Sequence, residues 1–304
     1  MMMIKERMSV IRDNSFLIYG DTGDGKTTLI GELAEDRYKK TGKITRLCTA
    51  DRGGYKSIQP YVDLGIIEVE ALDGDPFFWM NKVVRGHVRR NGKWVKEIRD
   101  DIGLYTFESM TSMGDALMQA LAKKAGEGVN IGGGGNVNFT VSEGGETLKF
   151  GGNNMAHYQV VQTNIIEALW ESQKLPGWLL WTASAKRDED PNANGKLLGP
   201  AVAGRALTGE VPRWFVYTFR VAAIPASTGK QEKHILYLGD FSDTSAGNAK
   251  GLGNCRMPLD APTFSTVIEP ASIVKALEVI DGGYDKAVET IKKRLGNRVP
   301  KKVL

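Results

Sequence analysis

Eight consecutive residues, Gly20-Asp21-Thr22-Gly23-Asp24-Gly25-Lys26-Thr27, carry the spacing G-x-x-x-x-G-K-[ST], in which each residue type has a task at a phosphate group. Glycines at positions 20, 23 and 25 permit positive φ and close backbone approach, so that successive N–H groups can line a concavity for phosphate oxygens. A helix opening near Lys26 adds unpaired amides and a positive dipole end. Lys26 supplies a point charge for the outer phosphates, and the Thr27 hydroxyl is a ligand for Mg²⁺. The spacing therefore predicts a site for a nucleoside triphosphate with Mg²⁺, formed by residues 20 to 27 with the following Thr28.

Such a loop needs a second acid at the end of a neighbouring strand to hold the water shell of the metal. The apolar run Ile102 to Phe107 ends in Glu108-Ser109, which places Glu108 where a parallel sheet presents charge to its ligand crevice; a helix-capping or surface glutamate is the alternative. A further acid, Asp51, follows Leu47-Cys48-Thr49-Ala50 and stands where it could orient an attacking water and accept its proton. It could equally begin an Asp51-Arg52-Gly53-Gly54 turn.

A different chemistry is available to the basic run of Lys82, Arg85, His87, Arg89, Arg90, Lys93, Lys96 and Arg99, which contains Trp94. Cations can follow phosphates while the aromatic ring stacks on a base, so Arg85, Arg89, Arg90, Lys93 and Trp94 are nucleic-acid candidates. A solvated charged face is the other reading. Lys292, Lys293, Arg294, Arg298, Lys301 and Lys302 make a second basic segment near the end of the chain.

These groups need elements to hold them. Ser15 to Tyr19 reads as a buried strand and Thr28 to Ala34 has helical spacing, the strand, loop, helix order that a phosphate loop requires. Lys43 to Ala50, Gly65 to Ala71, Ile102 to Phe107 and Trp178 to Ala183 read as further strands, with helices over 76 to 90, 112 to 124 and 155 to 174. Helices between strands imply parallel pairing. Residues 215–221 and 234–238 read as an antiparallel pair through the Ser227-Thr228-Gly229-Lys230 turn. Two short helices split at Asp281-Gly282-Gly283 are expected over 271 to 295. Residues 126 to 153 are crowded with glycine and read as an insertion, either a β-hairpin across Glu143-Gly144-Gly145-Glu146 or a flexible loop. The expected organisation is an N-terminal segment 1–13, a core 14–225 containing that insertion, and a C-terminal extension 226–304.

The whole chain sets bounds. Its 304 residues, 41% hydrophobic and 25% charged, allow one sizeable core. A formal charge of +4 and a pI near 8.8 permit a polyanionic partner without requiring one. Cys48 and Cys255 are the only cysteines, far apart and without metal-ligand neighbours, which suggests neither a disulfide framework nor a zinc site and fits a reducing cytoplasm. No signal-peptide core and no apolar run of about 18 residues is present, so membrane spanning is not expected.

The order of phosphate loop, strand ending in Thr49-Ala50-Asp51, third strand, Glu108-Ser109 and the polar-ended strand Trp181-Thr182-Ala183-Ser184 resembles the RecA-type ATPase core. Its layout is most similar to the short phage-encoded RecA-like ATPases of the single-strand annealing group. The resemblance covers about residues 14 to 225 and is specific at the phosphate loop. It implies an α/β fold, a mainly parallel sheet flanked by helices, and ATP hydrolysis. It puts Asp51 in the place of the catalytic glutamate, Glu108 in that of the magnesium-shell aspartate and Ser184 in that of the γ-phosphate sensor. It further implies a homo-oligomer on single-stranded DNA in recombination or annealing in a bacterial host cell. In that assembly Lys186, Arg187 or Arg205 would reach the neighbouring protomer's site. The sequence exchanges glutamate and aspartate relative to that family and has serine where a longer amide is commoner. The rival expectations are another phosphate-loop motor, such as a helicase or helicase loader, and a nucleotide-binding assembly protein with negligible turnover.

Overall fold

The structure, a computed structural model, describes residues 14–51, 53–127, 137–143, 146–152, 155–189, 196–203, 205–224, 233–238, 241–243, 249–251, 254–255 and 267–295. Its centre is a sheet in which β3 (Ile67–Ala71), β2 (Ile44–Thr49), β6 (Ile102–Glu108), β9 (Trp178–Glu189), β1 (Ser15–Gly20) and β11 (Tyr217–Ile224) lie side by side, each pair parallel. The mixed α/β class, a mostly parallel sheet flanked by helices, is thus observed. Beyond β11 the sheet turns antiparallel through β12 (Lys233–Tyr237) and β16 (Val267–Ile268).

Alternation along the strands builds two apolar layers. Leu17 and Tyr19 of β1 face one side, with Phe107 and Trp181, whose rings stack at 4.6 Å between centroids. There they meet helices α3 (Pro76–Val83), α4 (Met110–Gly126) and α5 (Met155–Ser172) through Trp79, Met80, Leu117, Ile165 and Leu169. Phe16 and Ile18 face the other side, against Leu29, Ile30 and Leu33 of α1 (Lys26–Thr41) and Ile273, Leu277 and Ile280 of α7 (Ile273–Leu295). A sheet covered on both faces explains the near-continuous apolar strands.

Several expectations change at the element boundaries. The helix expected over 76 to 90 stops at Val83, and His87–Arg90 (β4) pairs antiparallel with Lys93–Lys96 (β5). Asn91 at φ 50° and Gly92 at φ 76° make the turn, the two left-handed residues that suit a two-residue hairpin. Within α3, Trp79 is buried while Phe78 is exposed and meets Trp94 edge-on. The C-terminal segment is one helix rather than two. Ile273, Ala276, Leu277, Ile280 and Ala287 are buried along it, and docking of that face outweighs the roughly 1 kcal/mol cost of each helical glycine.

The glycine-rich segment forms the hairpin, β7 (Val137–Glu143) with β8 (Glu146–Gly152), Glu143 opposite Glu146. It lies on α4, where a Cβ at Gly151 would collide with the Ala122 carbonyl. Gly126 belongs to α4 itself. The β11–β12 antiparallel pair is observed, while its expected turn at 227 to 230, like residues 1 to 13, lies outside the described residues. Among the described residues no helix is long and apolar enough to cross a membrane.

Candidate functional site

Lateral register brings the strand ends together. Gly20 pairs with Ser184, and Thr49 pairs with Glu108, so the loops that follow β1, β2 and β6 leave the sheet beside Ser184, which lies within β9. They enclose a cleft of about 390 Å³ lined by Thr22, Gly23, Gly25, Lys26, Thr27, Thr28, Asp51, Gly54, Ser57, Glu108, Ser109, Ser112 and Ser184. Asp51, Glu108 and Ser184 are therefore brought to the phosphate loop from three different strands.

The loop divides into a front and a back. Gly23 at φ 92° and Gly25 at φ 93° adopt the left-handed conformation and line the cleft. Gly20 does not take positive φ as expected; it is required because a Cβ there would collide with the Val221 carbonyl. Gly20, Asp21 and Asp24 are not among the residues that line the cleft. Carbonyls of Gly20 and Asp21 accept from Lys26 Nζ at 2.9 and 2.8 Å, which leaves one of the three ammonium protons for a ligand. Asp24 is buried, and its carboxylate accepts from the Asp21 N–H at 2.6 Å and the Ala223 N–H at 3.0 Å. It braces the loop from inside. Gly25 caps α1 without a side-chain hydrogen bond, and no acid occupies the first turn, so the helix offers its amides and dipole to an anion.

Thr27 donates to Glu108 Oε1. Glu108 is 3% exposed and its Oε2 is buried with no hydrogen-bond partner. An orphaned carboxylate oxygen beside a threonine hydroxyl is a hard oxygen donor set, and it fits Mg²⁺. Burial pushes the Glu108 carboxyl up; the Thr27 hydrogen bond opposes this, Asp51 reinforces it and Lys26 opposes it. Burial lowers the Lys26 ammonium, against the pull of Asp24, Glu108, Asp21 and Asp51. Burial thus disfavours the charged forms of Glu108 and Lys26 alike, a cost that an ion of opposite charge would offset.

Asp51 is exposed at the mouth, its N–H bonded to the Thr49 hydroxyl at 3.0 Å and its carboxylate packed against Gly54. The turn after β2 and the acid at the cleft are thus the same residue. Ser184 is tied by its N–H to Thr111 Oγ1 at 2.9 Å and by its carbonyl to the Ala201 N–H at 2.6 Å. Ser109 caps α4, accepting from the Ser112 N–H at 3.1 Å. The sequence reading missed this cap and began the helix at 112, although a serine directly after an apolar strand is a cap signal; Ser57 and Ser112 carried no signal of a place in the cleft, to which chain folding brings them.

Lys186 is half-buried two residues beyond Ser184 on β9 and is not among the cleft residues. The side chains of Arg187 and Arg205 lie outside the described residues. In the basic patch Arg85 pairs with Glu167 at 2.6 Å and Arg89 with Asp73. Arg90 pairs with Glu97 at 2.8 Å, and Arg99 with Glu68 at 3.0 Å. Lys93 and Lys96 are exposed, and Trp94 is half-buried beside Phe78. Lys292, Lys293 and Arg294 are exposed in the last turn of α7, while Arg298, Lys301 and Lys302 lie outside the described residues.

No protein-family model matches the chain, and no curated protein matches it. Among solved structures it is similar to the KaiC-like protein PH0186 from the hyperthermophilic archaeon Pyrococcus horikoshii OT3, with 10% identity and a TM-score of 0.40 over 74% of this chain and 77% of that one.

Proposed function

We propose that the chain is a RecA-like P-loop ATPase that binds ATP with Mg²⁺ in the 390 Å³ cleft and hydrolyses it. The observation that carries this reading is the convergence of Lys26 and Thr27 with Glu108, Asp51 and Ser184 from separate strands on one cleft. The phosphates would lie on the amides of Gly23, Gly25 and the first turn of α1, with Lys26 toward the outer groups. Thr27 and Glu108 would hold the metal, which when bound neutralises charge on the phosphate oxygens.

Asp51 would orient a water for attack on the terminal phosphorus and accept its proton, the bridging P–O bond breaking to release ADP and phosphate. Ser184 would contact that phosphoryl group. Phosphate release is the direct test. Lys26→Ala should abolish ATP binding, and Asp51→Ala should keep ATP affinity while slowing turnover on the order of 100-fold. Unchanged turnover in Asp51→Ala would remove Asp51 as the base and leave the ATP site standing.

The finer reading is action on single-stranded DNA as a homo-oligomer, in phage-type recombination or annealing. It rests on the resemblance and on the basic surface around Lys93, Lys96 and Trp94. The pairing of Arg85, Arg89, Arg90 and Arg99 with carboxylates favours a second reading, an assembly protein whose oligomer is stabilised by ATP. Turnover measured with and without single-stranded DNA, together with oligomer size in ATP, separates the two.

A further inference from the structure

The phosphate loop is held from behind by a residue more than 200 positions away in sequence. His234 of β12 lies opposite Ala223 of β11 in the antiparallel register, and both reach Asp24. The Ala223 N–H donates to the Asp24 carboxylate at 3.0 Å, and His234 Nδ1 stands 2.9 Å from the Asp24 backbone oxygen. A carbonyl oxygen only accepts, so this bond places the ring proton on Nδ1. The His234 ring also covers Gly25, 3.5 Å from where a Cβ would stand. Its own backbone is fixed in turn, because the His234 carbonyl accepts from the Ala271 N–H at 2.7 Å.

Peptide geometry gives this contact a consequence for the ligand. The cis peptides among the described residues are Glu108–Ser109 and Glu269–Pro270, so the Asp24–Gly25 peptide is trans, with C=O and N–H pointing in opposite directions. A carbonyl held toward His234 turns the Gly25 N–H away from that ring, and Gly25 is one of the residues that line the cleft. Glycine accepts either sign of φ, so a free Asp24–Gly25 peptide could rotate and withdraw that donor. We propose that His234 is a positioning residue of the nucleotide site: its Nδ1–H locks the Asp24–Gly25 peptide in the orientation that presents the Gly25 N–H to phosphate.

This inference rests on the phosphate-loop reading above. Calorimetric titration of the full chain with MgATP tests both. His234→Leu removes the donor and should weaken ATP about tenfold or more, the worth of one hydrogen bond to a charged group. Its thermal midpoint without ATP should stay close to that of the unsubstituted chain. His234→Asn places a side-chain N–H₂ near the Nδ1 position and should restore affinity to within about twofold of the original, by the same single-bond reckoning. Should His234→Leu fail to fold, His234→Gln decides the question: its amide reaches the Nε2 position instead, so a folded His234→Gln should bind ATP poorly. Lys26→Ala is the control for the site. Failure of the unsubstituted chain to bind MgATP would overturn the phosphate-loop reading and the clamp with it. Loss of binding in Lys26→Ala alongside normal affinity in His234→Leu, or in a folded His234→Gln, would overturn the clamp alone. So would a folded His234→Asn that binds no better than His234→Leu.

Discussion

Lys26 is held by two backbone carbonyls in a setting whose burial lowers its ammonium pKa, so the ligand-free chain bears a desolvation cost for a charge that a phosphate would compensate. Lys26→Met should therefore raise the thermal midpoint of the ligand-free protein while abolishing ATP binding, and paired melting and titration experiments check both signs. Glu108 bears a similar cost with its orphaned Oε2. Its proposed role in holding Mg²⁺ predicts that Glu108→Gln keeps the Thr27 contact yet loses metal-stimulated turnover, on the order of 100-fold in phosphate release. Cys48 shows the opposite case, a titratable group with no functional setting. It is fully buried and burial pushes its thiol well above the ordinary range. In a Cys255→Ser background it should resist thiol reagents at pH 8 until the chain is unfolded.

At the scale of elements, the β4–β5 hairpin is fastened to the sheet by charge. Arg46 of β2 is 2% exposed and reaches Glu68 at 3.1 Å and Glu97 at 2.8 Å, while Arg99 pairs with Asp101 at 2.8 Å. Arg46→Met should destabilise the fold by roughly 3 kcal/mol, the low end for breaking a buried pair because both partner carboxylates are partly exposed; denaturant midpoints measure it. The Arg90 hydrogen bond holds the Glu97 carboxyl below its ordinary range, and Arg99 does the same for Asp101. These contributions are complete above about pH 4, the unfolded range, and vanish as pH falls through the lower folded values. Acid titration of stability should therefore be shallower in Arg46→Met than in the unsubstituted chain. The α1–α7 contact has a polar fastening beside its apolar one, where the Glu32 carboxylate accepts from Ser272 Oγ at 2.5 Å and the Ile273 N–H at 2.9 Å. Glu32→Ala should cost about 1 kcal/mol, as loss of a helix cap does.

At the scale of the whole molecule, charge counted along the sequence overstates the basic surface. Arg85, Arg89, Arg90 and Arg99 answer carboxylates of the same fold, and Lys82 lies 5.1 Å over the Phe78 ring. If DNA is bound there by Lys82, Lys93 and Lys96, affinity should fall with salt at a log–log slope of about −2, since each phosphate contact on a single strand contributes about −0.7. A slope near −5 in an anisotropy titration would mean that the arginines leave their carboxylates. The C-terminal part of the chain also joins the core: β12 extends the central sheet and α7 covers α1, and the His234 clamp ties that region to the nucleotide loop.

Local geometry was legible in the sequence because it depends on near neighbours. Residues 20 to 27 predicted the phosphate loop, the apolar runs predicted the strands, and the acid at the end of each run predicted where Asp51 and Glu108 would stand. Three things were decided only by the tertiary structure, because each depends on partners distant along the chain. Packing against α1 kept α7 continuous through Gly282 and Gly283. Carboxylates from other elements paired the arginines of the basic run. Within the loop itself, contacts with Ala223, Val221 and His234 separated Gly23, Gly25 and Lys26, which face the cleft, from Gly20, Asp21 and Asp24, which hold it in shape.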